Sequence, residues 1–169
     1  MKLTPRLARL LINLWPPFLG AGIRVRAISS DWRDITVALK LRLGNRNYVG
    51  VHFGGSLYSM TDPFFMLMLM QNLGRDYIVW DKNGSIDYLK PGRGTVSARF
   101  TLDEATLAAI RANTANGDKY LPQLQVAVVD EQGEVVARVH KTLYVRKKQK
   151  RPGAAEAAAG ALRDEAGTA

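Results

Sequence analysis

With 169 residues the chain is long enough for one domain with a real core, and the absence of cysteine excludes disulfides, thiolate zinc sites and cysteine nucleophiles. The formal charge of +9 favours a polyanionic partner: nucleic acid, an anionic membrane or a phosphate-rich molecule. The cations are scattered through the body and dense only at residues 146–151, so charge by itself selects none of these.

Lys2, Arg6 and Arg9 precede an apolar run that ends at Trp15, a loose imitation of a secretory signal. Pro16 and Pro17 interrupt the run early and no small-x-small cleavage site follows closely, so an amphipathic helix over 1–15 fits better. Thr4 can cap it, Pro5 suits the first turn, and Leu3, Leu7, Leu10, Leu11 and Leu14 form one stripe. No segment has the ~20 apolar residues of a membrane span, so a cytoplasmic location and no transmembrane segment are expected.

The periodicity then alternates. Ile23, Val25 and Ala27 oppose Arg24 and Arg26, and Ile35, Val37, Leu39, Leu41 and Leu43 repeat every second residue, which predicts two strands. Residues 44–50 read as a turn-rich connection into one long buried helix over 55–73, closed by Gly74. Extended chain is predicted over 77–80 and 85–89, with a bend or bulge at 81–84, and the turn Pro91-Gly92-Arg93-Gly94 follows. Val96, Ala98, Phe100 and Leu102 alternate, and Asp103 caps a helix over 104–112. Leu124, Val126 and Val128 alternate again, 130–133 form a hairpin turn, and 135–145 return. From about Gln149 the composition collapses to Ala, Gly, Glu and Arg, which predicts a disordered or transiently helical tail.

The class is therefore α+β: an antiparallel sheet of about five or six strands wrapped around one long central helix. The chain divides into an N-terminal helix (1–15), a folded domain (16–148) and the tail (149–169).

The chemistry concentrates in residues 52–70. Gly54-Gly55 opens the central helix, Asp62 lies about two turns in, and seven apolar residues run from Phe64 to Met70. A helix apolar on every side must be surrounded by protein, and a carboxylate on it must be neutralised, paired or facing a pocket. Asp62 is thus either a general base or nucleophile, or a plain N-cap ahead of Pro63, which also kinks the helix. The glycine pair allows close backbone approach and offers free N–H groups to an oxyanion, or else serves helix-on-sheet packing. His52 is a candidate acid, base or donor, or a structural histidine; His140 is assigned nothing, and the two give no metal-ligand spacing. Met60, Met66, Met68 and Met70 fill core and can adapt to acyl chains. Lys90, Arg93 and the 146–151 cluster could hold phosphates, or stand as solvated surface. Asn47, Ser56 and Ser59 complete the candidate binding set.

Gly54-Gly55, with Asp62 seven residues beyond the second glycine, resembles the His-Gly-Gly…Asp signature of hotdog-fold acyl-CoA thioesterases of the phenylacetyl-CoA type. Residues 85–96 resemble the strand-turn-strand that follows the central helix there. Asn45-Arg46-Asn47, Phe53-Gly54-Gly55-Ser56, Asp62-Pro63-Phe64, Val79-Trp80-Asp81-Lys82 and Leu143-Tyr144-Val145-Arg146 look like recurring words of an uncharacterised bacterial family in that superfamily. The resemblance spans about 16–148 and implies the hotdog fold and hydrolysis of an acyl-CoA or acyl-carrier thioester. It also implies that Asp62 activates water or attacks the thioester while the Gly55 N–H polarises its carbonyl. Coenzyme A would enter as part of the substrate with no other cofactor, and the sites would lie between subunits of a homodimer or dimer of dimers. The alternative is a non-catalytic acyl-CoA or lipid-binding module. A nucleic-acid or membrane-surface binder ranks last, and nucleic acid is not expected, because aromatic and basic residues do not interleave.

Overall fold

The computed structural model describes residues 4–149; the predicted tail lies almost wholly outside them. Helix α1 (Pro5–Leu14) starts where Thr4 Oγ1 accepts the Leu7 N–H, as Pro5 and the hydroxyl dictate. The proline pair ends it and starts α2 (Pro16–Ala21), which drives Phe18 into the core and stops at Gly22, φ +79°.

Strands β1 (Ile23–Ile28) and β2 (Asp34–Lys40) pair antiparallel. The alternation predicted β2 out to Leu43, yet the strand ends at Lys40 and Leu43 is exposed. Asn45 is the reason. Its side chain accepts the Arg42 N–H and donates to the carbonyls of Lys40 and Ala21, pulling the chain into a turn.

The central helical path runs through α3 (Gly54–Ser59) and α4 (Phe64–Leu73), broken at residues 60–63. The break is a tight turn. Thr61 N–H and Oγ1 both donate to the Tyr58 carbonyl, Asp62 N–H donates to Ser59, and Pro63 has no N–H to continue the ladder. Phe64, Phe65, Met68, Leu69 and Leu73 of α4 are buried, with both phenylalanine rings 5.1 Å from that of Phe100. The helix is not enclosed on all sides, since Met70 is exposed and Met66 half-buried.

Strands β3 (Tyr77–Tyr88), β4 (Thr95–Thr101), β5 (Lys119–Tyr120), β6 (Gln123–Val129) and β7 (Val135–Lys147) complete the sheet, with α5 (Glu104–Asn113) inserted after β4 and capped by Asp103. The order is β1-β2-β4-β6-β7-β3, all antiparallel, with the two-residue β5 also on β7, making seven strands. The predicted bend in β3 is a bulge between Asp81 and Asn83. This curved sheet around a helical path is the hotdog arrangement.

The sheet's two edges differ. Along β1, the Asn13 carboxamide of α1 takes the place of a neighbouring strand: it accepts the Val25 N–H (2.7 Å) and donates to the Val25 carbonyl (3.1 Å). Arg24 donates to the Asn13 carbonyl and Arg9 to that of Arg26. The other edge, β3, has no partner strand among the described residues. No helix among them is long and apolar enough to cross a membrane.

Candidate active site

All the candidate residues except Ser56 and Arg93 fall into two clefts, one at each end of α3, and no residue lines both. The first has a volume of about 610 Å³ and is lined by the loop before α3, the glycine pair and the chain from Tyr88 to Gly92. Gly54 and Gly55 lie in the first turn of α3, where N–H groups have no intrahelical acceptor, and they find none elsewhere among the described residues. The missing side chains make room for two aromatic rings. A Cβ on Gly54 would come within 2.9 Å of Tyr88 Oη, and one on Gly55 within 2.9 Å of Phe53 Cζ. Both rings are themselves exposed.

Asn47 and His52 shape this cleft from behind. Asn47 Oδ1 accepts the N–H groups of Val49 and Val51, and its amide donates to the His52 carbonyl, so its side chain is spent on the loop. His52 is buried, with Nε2 3.2 Å from the Gly94 carbonyl and Nδ1 without a partner. Burial lowers its pKa, partly opposed by the Gly94 bond, and because a carbonyl can only accept, that bond is one the ring donates from Nε2. Lys90 lines the cleft, but its ammonium pairs with Asp130 (2.7 Å) and Glu134 (3.1 Å). Arg93 is exposed in the neighbouring turn with no acidic partner among the described residues. Ser56 is buried in α3 rather than lining either cleft.

The second cleft, about 260 Å³, holds Asp62 and Ser59 together with Trp15, Pro17, Phe18, Tyr58 and Pro63. Asp62 is not a side-chain cap: α4 has Pro63 at its N-cap position and no capping side chain. Its carboxylate is 53 % exposed, and Oδ1 accepts a 2.6 Å bond from Lys141 Nζ. Lys141 is 1 % exposed, stands 3.3 Å from Asp81 Oδ2, and lies over the Tyr58 ring at 5.3 Å from its centroid. A Cβ on Gly84 would overlap Tyr58 Oη and reach 3.2 Å from Lys141 Cδ, so glycine is what lets the tyrosine lie there.

Burial acts against the Lys141 charge, but the Asp62 bond and the charges of Asp81 and Asp62 more than offset it, and its pKa is raised. Burial also pushes the Asp81 carboxyl up, only partly countered by Lys141, and Asp81 Oδ1 has no hydrogen-bond partner. The arrangement fixes a solvent-facing carboxylate from behind with a buried cation. Lys141 did not emerge from the motifs, yet a signal existed: it occupies the same inward row of β7 as Val139, Leu143 and Val145. No group of three His, Asp or Glu side chains among the described residues could hold a metal ion.

The model of a family defined as a domain of unknown function, DUF4442, matches residues 4–145. The chain belongs to this family. Among solved structures, the DUF4442 chain is similar to PA5026 of Pseudomonas aeruginosa, described as a protein of unknown function and probable thioesterase. The identity is 21%, with 87% of this chain and 100% of that one covered at a TM-score of 0.73. Thioesterase HI1161 of Haemophilus influenzae is similar at 16% identity, covering 89% of this chain and 97% of its own, with a TM-score of 0.64. The PaaI protein from the phenylacetic acid degradation operon of Escherichia coli is similar at 14% identity, 84% and 91% coverage and a TM-score of 0.55. No match was found among curated proteins. At such identities the likeness carries the fold alone, and the DUF4442 chain has the hotdog fold.

Proposed function

We propose that this protein hydrolyses an acyl thioester of the acyl-CoA or acyl-carrier class. One observation carries the reading: Asp62, on the central helical path, opens on a cleft while a buried lysine anchors its carboxylate. In the proposed step Asp62 takes a proton from water as the water oxygen bonds to the thioester carbonyl carbon. A backbone N–H at Gly55 holds the oxyanion; collapse breaks the C–S bond, and the proton on Asp62 passes to the departing thiolate.

Because Asp62 and Gly55 open on separate clefts of one chain, the working site is assigned to a homodimer in which each copy supplies one of the two. The unpaired β3 edge is the natural seam for that dimer. Ser59 flanks the acid, Gly54 flanks the oxyanion donor, and Arg93 is the cation available to coenzyme A phosphates. Asn47 and His52 hold the loop that shapes the cleft.

Asp62→Asn is the test, with a panel of short, medium, long and aromatic acyl-CoAs as substrates. A fall in kcat on the order of 100-fold or more, with the fold retained, is expected; full activity on the best thioester sinks the mechanism. The Lys141 bond to Asp62 favours one other reading, a non-catalytic acyl-CoA module. Thermal stabilisation by acyl-CoA without turnover in the wild type would select it.

A further inference from the structure

The leucine stripe of α1 faces outward. Leu7, Leu10, Leu11 and Leu14 are between 40% and 57% exposed, and the row continues through Trp15 (49%) into Leu19 of α2 (42%). A surface helix ordinarily turns its apolar stripe to the core. Here the polar side is fastened instead: Asn13 and Arg9 are bonded to the β1 backbone, and only Ala8 of α1 is fully buried. Rolling the leucines inward would break those bonds and reopen the sheet edge.

Charge identifies what covers the stripe. Between Thr4 and Ser30 the sequence holds Arg6, Arg9, Arg24 and Arg26 and no acidic residue. Arg9 and Arg24 are held by backbone carbonyls, so their charge has no carboxylate beside it. A second copy stacked on the stripe would bring two such arginine sets together with nothing to neutralise them. An anionic bilayer offers apolar depth to the leucines, its interface to the tryptophan and phosphates to the arginines.

We propose that α1, with Trp15 and Leu19, lies in the interface of an anionic lipid bilayer. The proposal stands apart from the hydrolytic reading. Trp15 also lines the Asp62 cleft, so docking sets that cleft beside the lipid.

The test is sedimentation of the full chain with vesicles of phosphatidylglycerol and phosphatidylcholine, against vesicles of phosphatidylcholine alone. Anionic vesicles should capture the protein at low salt and lose it at high salt, and capture by neutral vesicles should be at least about tenfold weaker. The Leu10→Glu/Leu14→Glu variant alters exposed positions and should keep its melting temperature while binding at least about tenfold less. A blue shift of tryptophan emission on binding should be lost in Trp15→Phe. No capture by anionic vesicles, or equal capture of the double variant, overturns the proposal. So does a wild-type oligomer that ignores vesicles and dissociates in the double variant, since a second copy would then be the occupant.

Discussion

Replacing Lys141 by methionine deletes the charge shared by Asp62 and Asp81 while keeping most of the side chain's volume. The cost falls unevenly. Asp62 is 53 % exposed and can turn to water, which makes its share small. Asp81, whose side chain is 24 % exposed and whose Oδ1 has no partner, loses its remaining ionic contact. Breaking a buried pair by removing one member costs about 3–5 kcal/mol. With one of the two acids solvated, we expect the low end, about 3 kcal/mol, or a fall in Tm of roughly 6–12 °C for a domain of this size. Urea unfolding of Lys141→Met, Asp81→Asn and the double variant checks this as a cycle. Asp81→Asn in the Lys141→Met background should recover about 2 kcal/mol, because the orphaned acid is gone. Under the hydrolytic reading kcat should also fall in Lys141→Met, with KM nearly unchanged. A loss of less than about 1 kcal/mol, or strictly additive effects, would refute the assignment of Lys141 as the counter-ion of both acids.

Further outcomes follow from the same geometry. If each working site takes Asp62 from one copy and Gly55 from the other, Asp62→Asn and Gly55→Pro chains, each inactive alone, should regain about one quarter of wild-type activity when mixed by refolding; no recovery counts against shared sites. His52 has a pKa depressed by burial from 6.5, so its stabilising share is complete above pH 6.5 and declines as pH falls below 6.5 toward the native value. The urea midpoint should therefore drop on going from neutral to mildly acidic pH, and His52→Gln should show less of that drop. Gly84→Ala should displace Tyr58 from Lys141 and destabilise by about 1–3 kcal/mol, read as a lower Tm; an unchanged Tm would mean the tyrosine moves freely.

Much of the fold was legible because its signals are local. Pro16 and Pro63 each stop the helix before them and begin the next, Asp103 caps α5, and alternation located the strands. What escaped depends on partners remote in sequence. The end of β2 is set by Asn45 reaching the Ala21 carbonyl 24 residues back, so alternation through Leu43 misled. The stripe on α1 was evident as a pattern, but periodicity says only that two faces differ, and it took the Asn13–Val25 bonds to decide which one points in. At the site, Asp62 stood out by composition. Its anchor did not, because Lys141 lies 79 residues away and the turn at residues 60–63 aims the acid at it. Lys90 read as a phosphate ligand because its pairing with Asp130 and Glu134 forms only when the β6–β7 hairpin folds back.

The Asn13 carboxamide, standing in for a strand beside Val25, has a consequence for how these molecules can assemble. A sheet with two open borders can add neighbours without end and grow into a filament. Among the described residues this one has a plugged border at β1 and an unpaired border at β3, so sheet-to-sheet joining would be used up after a single event. The Asn13 amide thereby helps to set a stopping rule, and Asn13→Leu would weaken it by freeing the Val25 N–H and carbonyl on the β1 border.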